Sequence, residues 1–209
     1  MNCELKYIDF HAHHESLAGE RVIQDGVDTR GRHPWHLQDY HPSFGEDRGR
    51  SGRFLAIGES GLDKVCQTPY PLQLEVFREE VQLSEQLQKP LFLHCVRAID
   101  DVLRIRKELN AQQPWIWHGY RGNAQQLQQL LALPFLGEAG KGAFYFSFGL
   151  KYNTEALLAC PLDRLLLETD DDTQHPISEL YTEVANLRKI SLKELIEQMH
   201  SNFRTLFLK

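Results

Sequence analysis

The chain has 209 residues, of which 42% are hydrophobic and 25% charged. That is the size and make-up of one globular domain over residues 1–209, and it excludes a disordered chain, a collagen-like repeat and a bare disulfide scaffold. The formal net charge of −6 argues against an extended duplex-binding surface, which needs a basic stripe.

The opening residues, Met1-Asn2-Cys3-Glu4-Leu5-Lys6, hold no apolar signal core. The first short apolar run, Lys6-Tyr7-Ile8-Asp9-Phe10, leads straight into His11 and His13. Residues two apart on an extended segment face the same side, so these imidazoles converge. Arg32 follows His13 by only 19 positions, too few for a full strand-helix unit with its loops. Residues 20–27 supply at most a short substitute strand. His33, in Gly31-Arg32-His33-Pro34-Trp35, marks the next strand end. Residues 41–52, rich in Gly, Ser, Pro and charge, read as a surface loop. The run at 53–59 ends in Glu59, and the one at 90–94 ends in His94. Between them Leu74, Phe77, Val81 and Leu87 keep to one helical face. Ile99, Val102, Ile105 and Leu109 form a second helical stripe, and the run at 114–118 ends in His118. A three-glycine loop at 136–142 precedes the run at 143–149. The run at 162–170 ends in Asp170. Ile177, Leu180, Tyr181 and Val184 then mark a helix. The closing helix starts at the capping box Ser191-Leu192-Lys193-Glu194.

Alternating strands and helices imply an α/β domain with a parallel sheet. Runs that are continuously apolar imply strands buried on both faces. Counting strand ends after Phe10 and at His33, Glu59, His94, His118, Gly149 and Asp170 gives seven. Eight such units usually take about 250 residues. The expected fold is a TIM-type (β/α) barrel, shortened or distorted, with its second βα unit missing or reduced. No run approaches the roughly 20 apolar residues of a membrane span. The four cysteines lie far apart with no Cys-x-x-Cys, the habit of reduced thiols in a cytoplasmic protein. No membrane association and no obligate protein partner are expected.

The ligand-type residues are what the pattern singles out. A lone histidine after a strand is usually a hydrogen-bonded core or loop residue, and a lone Glu or Asp there is usually a cap. His36, His41, His175 and His200 fit that description. His11, His13, Glu59, His94, His118 and Asp170 instead all fall at strand ends, and in a parallel barrel those ends converge on the catalytic face. Imidazole and carboxylate are ligands for Zn²⁺, Mn²⁺ and similar ions. Four imidazoles and two carboxylates exceed the needs of one tetrahedral ion and suit two divalent ions (Zn, Mn or Mg) roughly 3.5–4 Å apart. Asp9 is placed to orient an imidazole from behind or to cap a turn. Arg97, Arg121 and Lys151 lie just past strand ends, where they either hold an anionic substrate or are solvated loop charges. His33 is a further substrate contact or a loop fixture.

These residues resemble the TatD-related metal-dependent hydrolase family, in the amidohydrolase group of barrels. The matching stretches are Ile8-Asp9-Phe10-His11-Ala12-His13, Gly31-Arg32-His33-Pro34-Trp35, Ala56-Ile57-Gly58-Glu59-Ser60-Gly61-Leu62-Asp63 and Lys89-Pro90-Leu91-Phe92-Leu93-His94. Trp117-His118-Gly119-Tyr120-Arg121-Gly122, Tyr145-Phe146-Ser147-Phe148-Gly149, Leu166-Leu167-Glu168-Thr169-Asp170 and Asn202-Phe203-Arg204-Thr205-Leu206-Phe207 complete them. The resemblance implies that His11 and His13 bind one ion, that Glu59 bridges to a second, that His94 and His118 serve the second, and that Asp170 completes the site. It implies phosphodiester hydrolysis of deoxyribonuclease type by activated water, with Asp170 and Glu59 as catalytic residues.

Three departures stand out. The second strand-helix unit is reduced. Val96 holds the place of an arginine, which comes one position later as Arg97. Asp171 and Asp172 follow Asp170 where the family has a small residue and a proline. Two divalent ions against Glu59 and Asp170 still leave about two positive charges at the site. The expected partner is therefore a small or end-bound anionic substrate, single-stranded nucleic acid or nucleotide among them. The rival readings are a carboxylic ester, lactone or amide hydrolase on the same ions, and a non-catalytic metal-binding protein.

Overall fold

The computed structural model describes residues 7–15, 19–37, 54–133 and 142–208. The loop expected at 41–52, most of the one at 136–142, and Cys3 lie outside these residues. The described chain falls into two compact units. The first comprises residues 1–24, 118–134 and 144–209, and the second residues 25–117 and 135–143.

In the first unit β1 (Tyr7–Ala12) pairs in parallel with β2 (Glu20–Gln24). β2 is the substitute strand expected at 20–27, and no helix precedes it among the described residues. β7 (Phe144–Phe148) pairs in parallel with β8 (Leu165–Leu167). Beyond β8 the chain rejoins β1: Asp170 N–H donates to His11 C=O at 2.9 Å, and His13 N–H donates to Asp170 C=O at 3.0 Å. The helices α3 (Ala124–Leu131), α4 (Thr154–Ala159), α5 (Ile177–Arg188) and α6 (Leu192–Phe207) belong to this unit. The stripe Ile177, Leu180, Tyr181 and Val184 is buried as expected. Tyr181 also turns its hydroxyl onto β1, donating to Ile8 C=O at 2.8 Å. Ser191 caps α6 by accepting from Glu194 N–H at 3.1 Å, the reading made from its capping box.

In the second unit β3 (Thr29–Arg30), β4 (Ala56–Asp63), β5 (Leu91–Val96) and β6 (Trp115–Trp117) run parallel in that order. The helix α1 (Tyr70–Leu87) follows β4, and α2 (Ile99–Glu108) follows β5. A short 3-10 turn, Pro34–His36, lies beyond β3. All eight residues of β4 are buried, the double-sided burial expected of a parallel strand. The sequence ends this strand at Glu59, but it runs on to Asp63. Ser60 and Gly61 interrupt the apolar run without leaving the sheet, and the register against β5 shifts between Ile57 and Ser60.

Gly61 faces His94 across that ladder. A Cβ at Gly61 would lie 1.8 Å from the His94 carbonyl oxygen, far closer than two non-bonded atoms can approach, and backbone cannot retreat as a flexible side chain does. Gly61→Ala is expected to cost about 3 kcal/mol or more through overpacking. A melting temperature equal to wild type would contradict this close packing of β4 on β5.

Candidate metal centre

In the first unit the end of β1 and the segment after β8 carry the donors. His11 is fully buried, while His13 is half-exposed. Asp170 Oδ1 lies 3.7 Å from His11 Nε2 and 3.5 Å from His13 Nε2. The rings of His11 and His118 stand 4.6 Å apart. His11, His118 and Asp170 each offer one ligand atom, all within 4.8 Å of one another. Asp170 takes a left-handed conformation, with φ 59°, which is strained for most residues. Its two backbone bonds to β1 hold it there.

Two buried acids brace this set from behind. Asp9 accepts from His11 N–H at 3.3 Å, from Thr169 N–H at 3.1 Å and from the Thr169 hydroxyl at 2.5 Å. It therefore fixes the backbone on both sides of the donors. Burial pushes its carboxyl up to about 7, with nearby Glu168 adding to the rise, against the pull of the Thr169 and His11 bonds. Glu168 accepts from Gly119 N–H at 2.6 Å and lies 3.5 Å from His118 Nδ1. A carboxylate in that place fixes the ring orientation of a ligating histidine. A cleft beside Asp170 is lined by Gly119, Arg121, Gly149, Lys151 and Glu168. Arg121 and Lys151 thus open onto the same space as Asp170. Asp171 and Asp172 reach this cleft too. Asp172, however, is drawn into a turn, accepting from the N–H groups of Gln174 and His175.

In the second unit Glu59 Oε1 lies 2.7 Å from His94 Nδ1 and 3.0 Å from His33 Nε2. The ligand atoms of these three residues also fall within 4.8 Å of one another. His33 caps the Pro34–His36 turn, its Nδ1 accepting from Trp35 N–H at 3.2 Å. The proton of a neutral ring is then on Nε2, directed at Glu59. Asp63 approaches His94 Nε2 at 3.3 Å and accepts from Trp35 Nε1, Val65 N–H and Cys66 N–H. Burial opposes its charge, yet these bonds prevail and hold the Asp63 carboxyl below the usual range. Gln73 on α1 clamps the backbone there, accepting from Asp63 N–H at 2.8 Å and donating to its carbonyl at 3.0 Å.

Each unit thus gathers imidazole nitrogens and carboxylate oxygens at the spacing a divalent ion needs. This donor chemistry fits Zn²⁺ or Mn²⁺. Of the expected ligands, His11, His13, His118 and Asp170 come together in the first unit, and Glu59 and His94 in the second. His33 stands among the donors of the second unit. Arg97 is exposed in the turn after β5, with φ 53°, and belongs to neither set. Asp63, Gln73 and Glu168 were missed as site residues. The signal for Asp63 and Glu168 was present in Gly-Leu-Asp and Glu-Thr-Asp, where an acid interrupts or ends a buried run, whereas Gln73 sits within a helix that gives none.

A family model described as TatD related DNase matches residues 9–208. The chain is 31% identical over 201 residues to the 3′-5′ ssDNA/RNA exonuclease TatD of Klebsiella pneumoniae, covering 86% of this chain and 76% of that protein. It is 30% identical over 176 residues to the uncharacterized metal-dependent hydrolase YabD of Bacillus subtilis, covering 74% and 66%. It is 34% identical over 149 residues to the human 3′-5′ RNA nuclease TATDN2, covering 67% and 19%. The chain therefore spans just under two thirds of the Bacillus protein and about a fifth of the human one. Among solved structures, a TatD homologue from Escherichia coli superposes with a TM-score of 0.72 at 21% identity, covering 91% of this chain and 78% of that one. A TatD-family hydrolase from Entamoeba histolytica gives 0.68 at 16% identity, covering 98% and 85%. The shared fold is the parallel α/β, TIM-type fold expected from the strand-helix alternation. The match over residues 9–208 makes the chain a member of the TatD-related DNase family.

Proposed function

We propose that the chain acts, as one domain over residues 1–209, as a metal-dependent phosphodiesterase on short or single-stranded nucleic acid. The ligands would be His11, His13, His118 and Asp170 in the first unit and Glu59 and His94 in the second, together serving two divalent ions (Zn, Mn or Mg). The observation that carries the reading is the cleft where Asp170 meets Arg121 and Lys151. A carboxylate beside two cationic side chains suits an anionic ester attacked by water. Relatives named as 3′-5′ nucleases support nucleic acid ends as the substrate class.

Divalent ions bound by these residues supply Lewis acidity and lower the pKa of water toward about 7. Asp170 accepts the proton of the attacking water. Arg121 and Lys151 hold the phosphate and receive the charge that develops on it, an electrostatic role that is usually the largest catalytic contribution. Glu168 and Asp63 hold His118 and His94 in their orientations. The free thiols of Cys66, Cys95 and Cys160 support a reducing compartment, the cytoplasm. No helix among the described residues is long and apolar enough to cross a membrane.

A panel of chromogenic substrates with added Mg²⁺, Mn²⁺ or Zn²⁺ tests this function. Bis(p-nitrophenyl) phosphate should be hydrolysed with metal, and the rate should vanish with chelator. Carboxylic esters should be turned over far more slowly. Preference for the carboxylic ester would favour acyl transfer on the same ligands. Metal uptake without turnover of any ester would leave a metal-binding protein.

A further inference from the structure

The Pro34–His36 turn carries an indole that is 52% exposed. The other exposed large apolar side chains among the described residues, Val27, Val65, Leu158 and Leu208, are aliphatic. Trp35 is also not loose. Its Nε1–H donates to Asp63 Oδ2 at 2.7 Å, and Asp63 is itself pinned by the N–H groups of Val65 and Cys66. The rings of His33 and His94 meet the indole nearly edge-on, 5.0 and 5.8 Å between centroids. The polar edge of the ring is therefore tied inward, and its apolar surface stays open to solvent. A ring fixed in this way loses little entropy when a planar partner lies on it.

We propose that Trp35 is a stacking platform for a nucleobase of a single strand, beside the donors His33, Glu59 and His94 of this unit. The proposal rests on the phosphodiesterase reading and names the part of the substrate that this unit recognises. Three features argue for a base. Stacking on an aromatic face tolerates any sequence, because every base has a π-face. The rings of His33 and His94 lie 5.0 and 5.8 Å from the indole, so a base stacked on Trp35 lies next to the donors of this unit. A net charge of −6 disfavours affinity from a long cationic track and favours local contacts.

Fluorescence titration of the metal-loaded protein tests the platform. Trp115 and Trp117 are buried, which leaves Trp35 as the tryptophan a ligand can touch. The probes are a short phosphorothioate oligothymidylate, which resists hydrolysis, and an abasic strand of equal length and charge. The thymidine strand should quench the emission and bind about tenfold more tightly than the abasic strand, as one stacked base would give. Read for the variants by the anisotropy of dye-labelled strands, since they lack the reporting indole, Trp35→Leu should erase that tenfold ratio, and Trp35→Phe, which keeps a ring but loses the Asp63 bond, should restore most of it. Equal affinity of wild type for both strands, or a ratio that survives Trp35→Leu, would overturn the platform. Hydrolysis of chromogenic phosphodiesters in that event would leave the proposed activity standing. Base-dependent binding without any hydrolysis would sink the activity and keep the platform.

Discussion

Replacing Asp170 by Asn is expected to lower phosphodiester turnover roughly a thousandfold, the range seen when a positioned acid-base group is lost, while the melting temperature stays within a few degrees of wild type. The two halves of this expectation come from different atoms. The structural work of Asp170 is done by its backbone, through the bonds to His11 C=O and from His13 N–H. Both survive the change. The left-handed conformation, with φ 59°, survives as well, because Asn is among the few residues that tolerate it. An alanine there would add strain of its own, so Asp170→Ala would mix folding with chemistry and Asp170→Asn does not. What disappears is the charge facing His11 Nε2 and His13 Nε2, and with it the oxygen that accepts the proton of water. Elemental analysis beside the assay separates the two losses. Full activity with unchanged metal content would remove Asp170 from the catalytic role.

The strands were legible because parallel strands are apolar on both faces. β4, β5, β6, β7 and β8 all contain buried runs that stand out in the sequence. The donors were legible for a related reason, since a histidine or carboxylate at the end of such a run has no apolar purpose. The bracing residues were hidden. Gln73 and Glu80 lie seven positions apart on the buried face of α1, where a count of apolar residues reads them only as gaps in the stripe. Their partners, Asp63 and Arg32, are 10 and 48 positions away, a separation that no local period reports. Glu59 was placed at a strand end because Ser60 and Gly61 look like the start of a loop. They are small rather than exposed, which the close approach of β5 requires. β2 and β3 are too short to announce themselves, and β2 was located only by the short spacing between His13 and Arg32, which leaves no room for a full strand-helix unit.

Arg32 is where that hidden layer carries most of its energy. Its Nε donates to Glu80 Oε1 at 2.5 Å and its Nη2 to Glu79 Oε2 at 2.7 Å. Burial works against the guanidinium charge, but Glu80 and Glu79 outweigh it and hold its pKa above the ordinary value. Glu80 is wholly buried, whereas Glu79 is 37% exposed. The Glu79 arm is therefore a surface pair worth at most about 1 kcal/mol, and the Glu80 arm dominates. Arg32→Met strips a buried carboxylate of its paired cation and is expected to cost about 3–5 kcal/mol, or roughly 10 °C in melting temperature for a chain of this size. Combining it with Glu80→Gln should recover a large part of the loss, because the uncompensated charge goes with it. Arg78 provides the contrast: its bond to Glu108 joins two exposed side chains, so Arg78→Ala should cost under about 1 kcal/mol. Equal melting temperatures for Arg32→Met and Arg78→Ala would show that the buried pair contributes no more than a surface one. Because Arg32 directly precedes His33 and the Trp35 turn, the same substitution should also weaken metal retention by the second unit, before the protein unfolds.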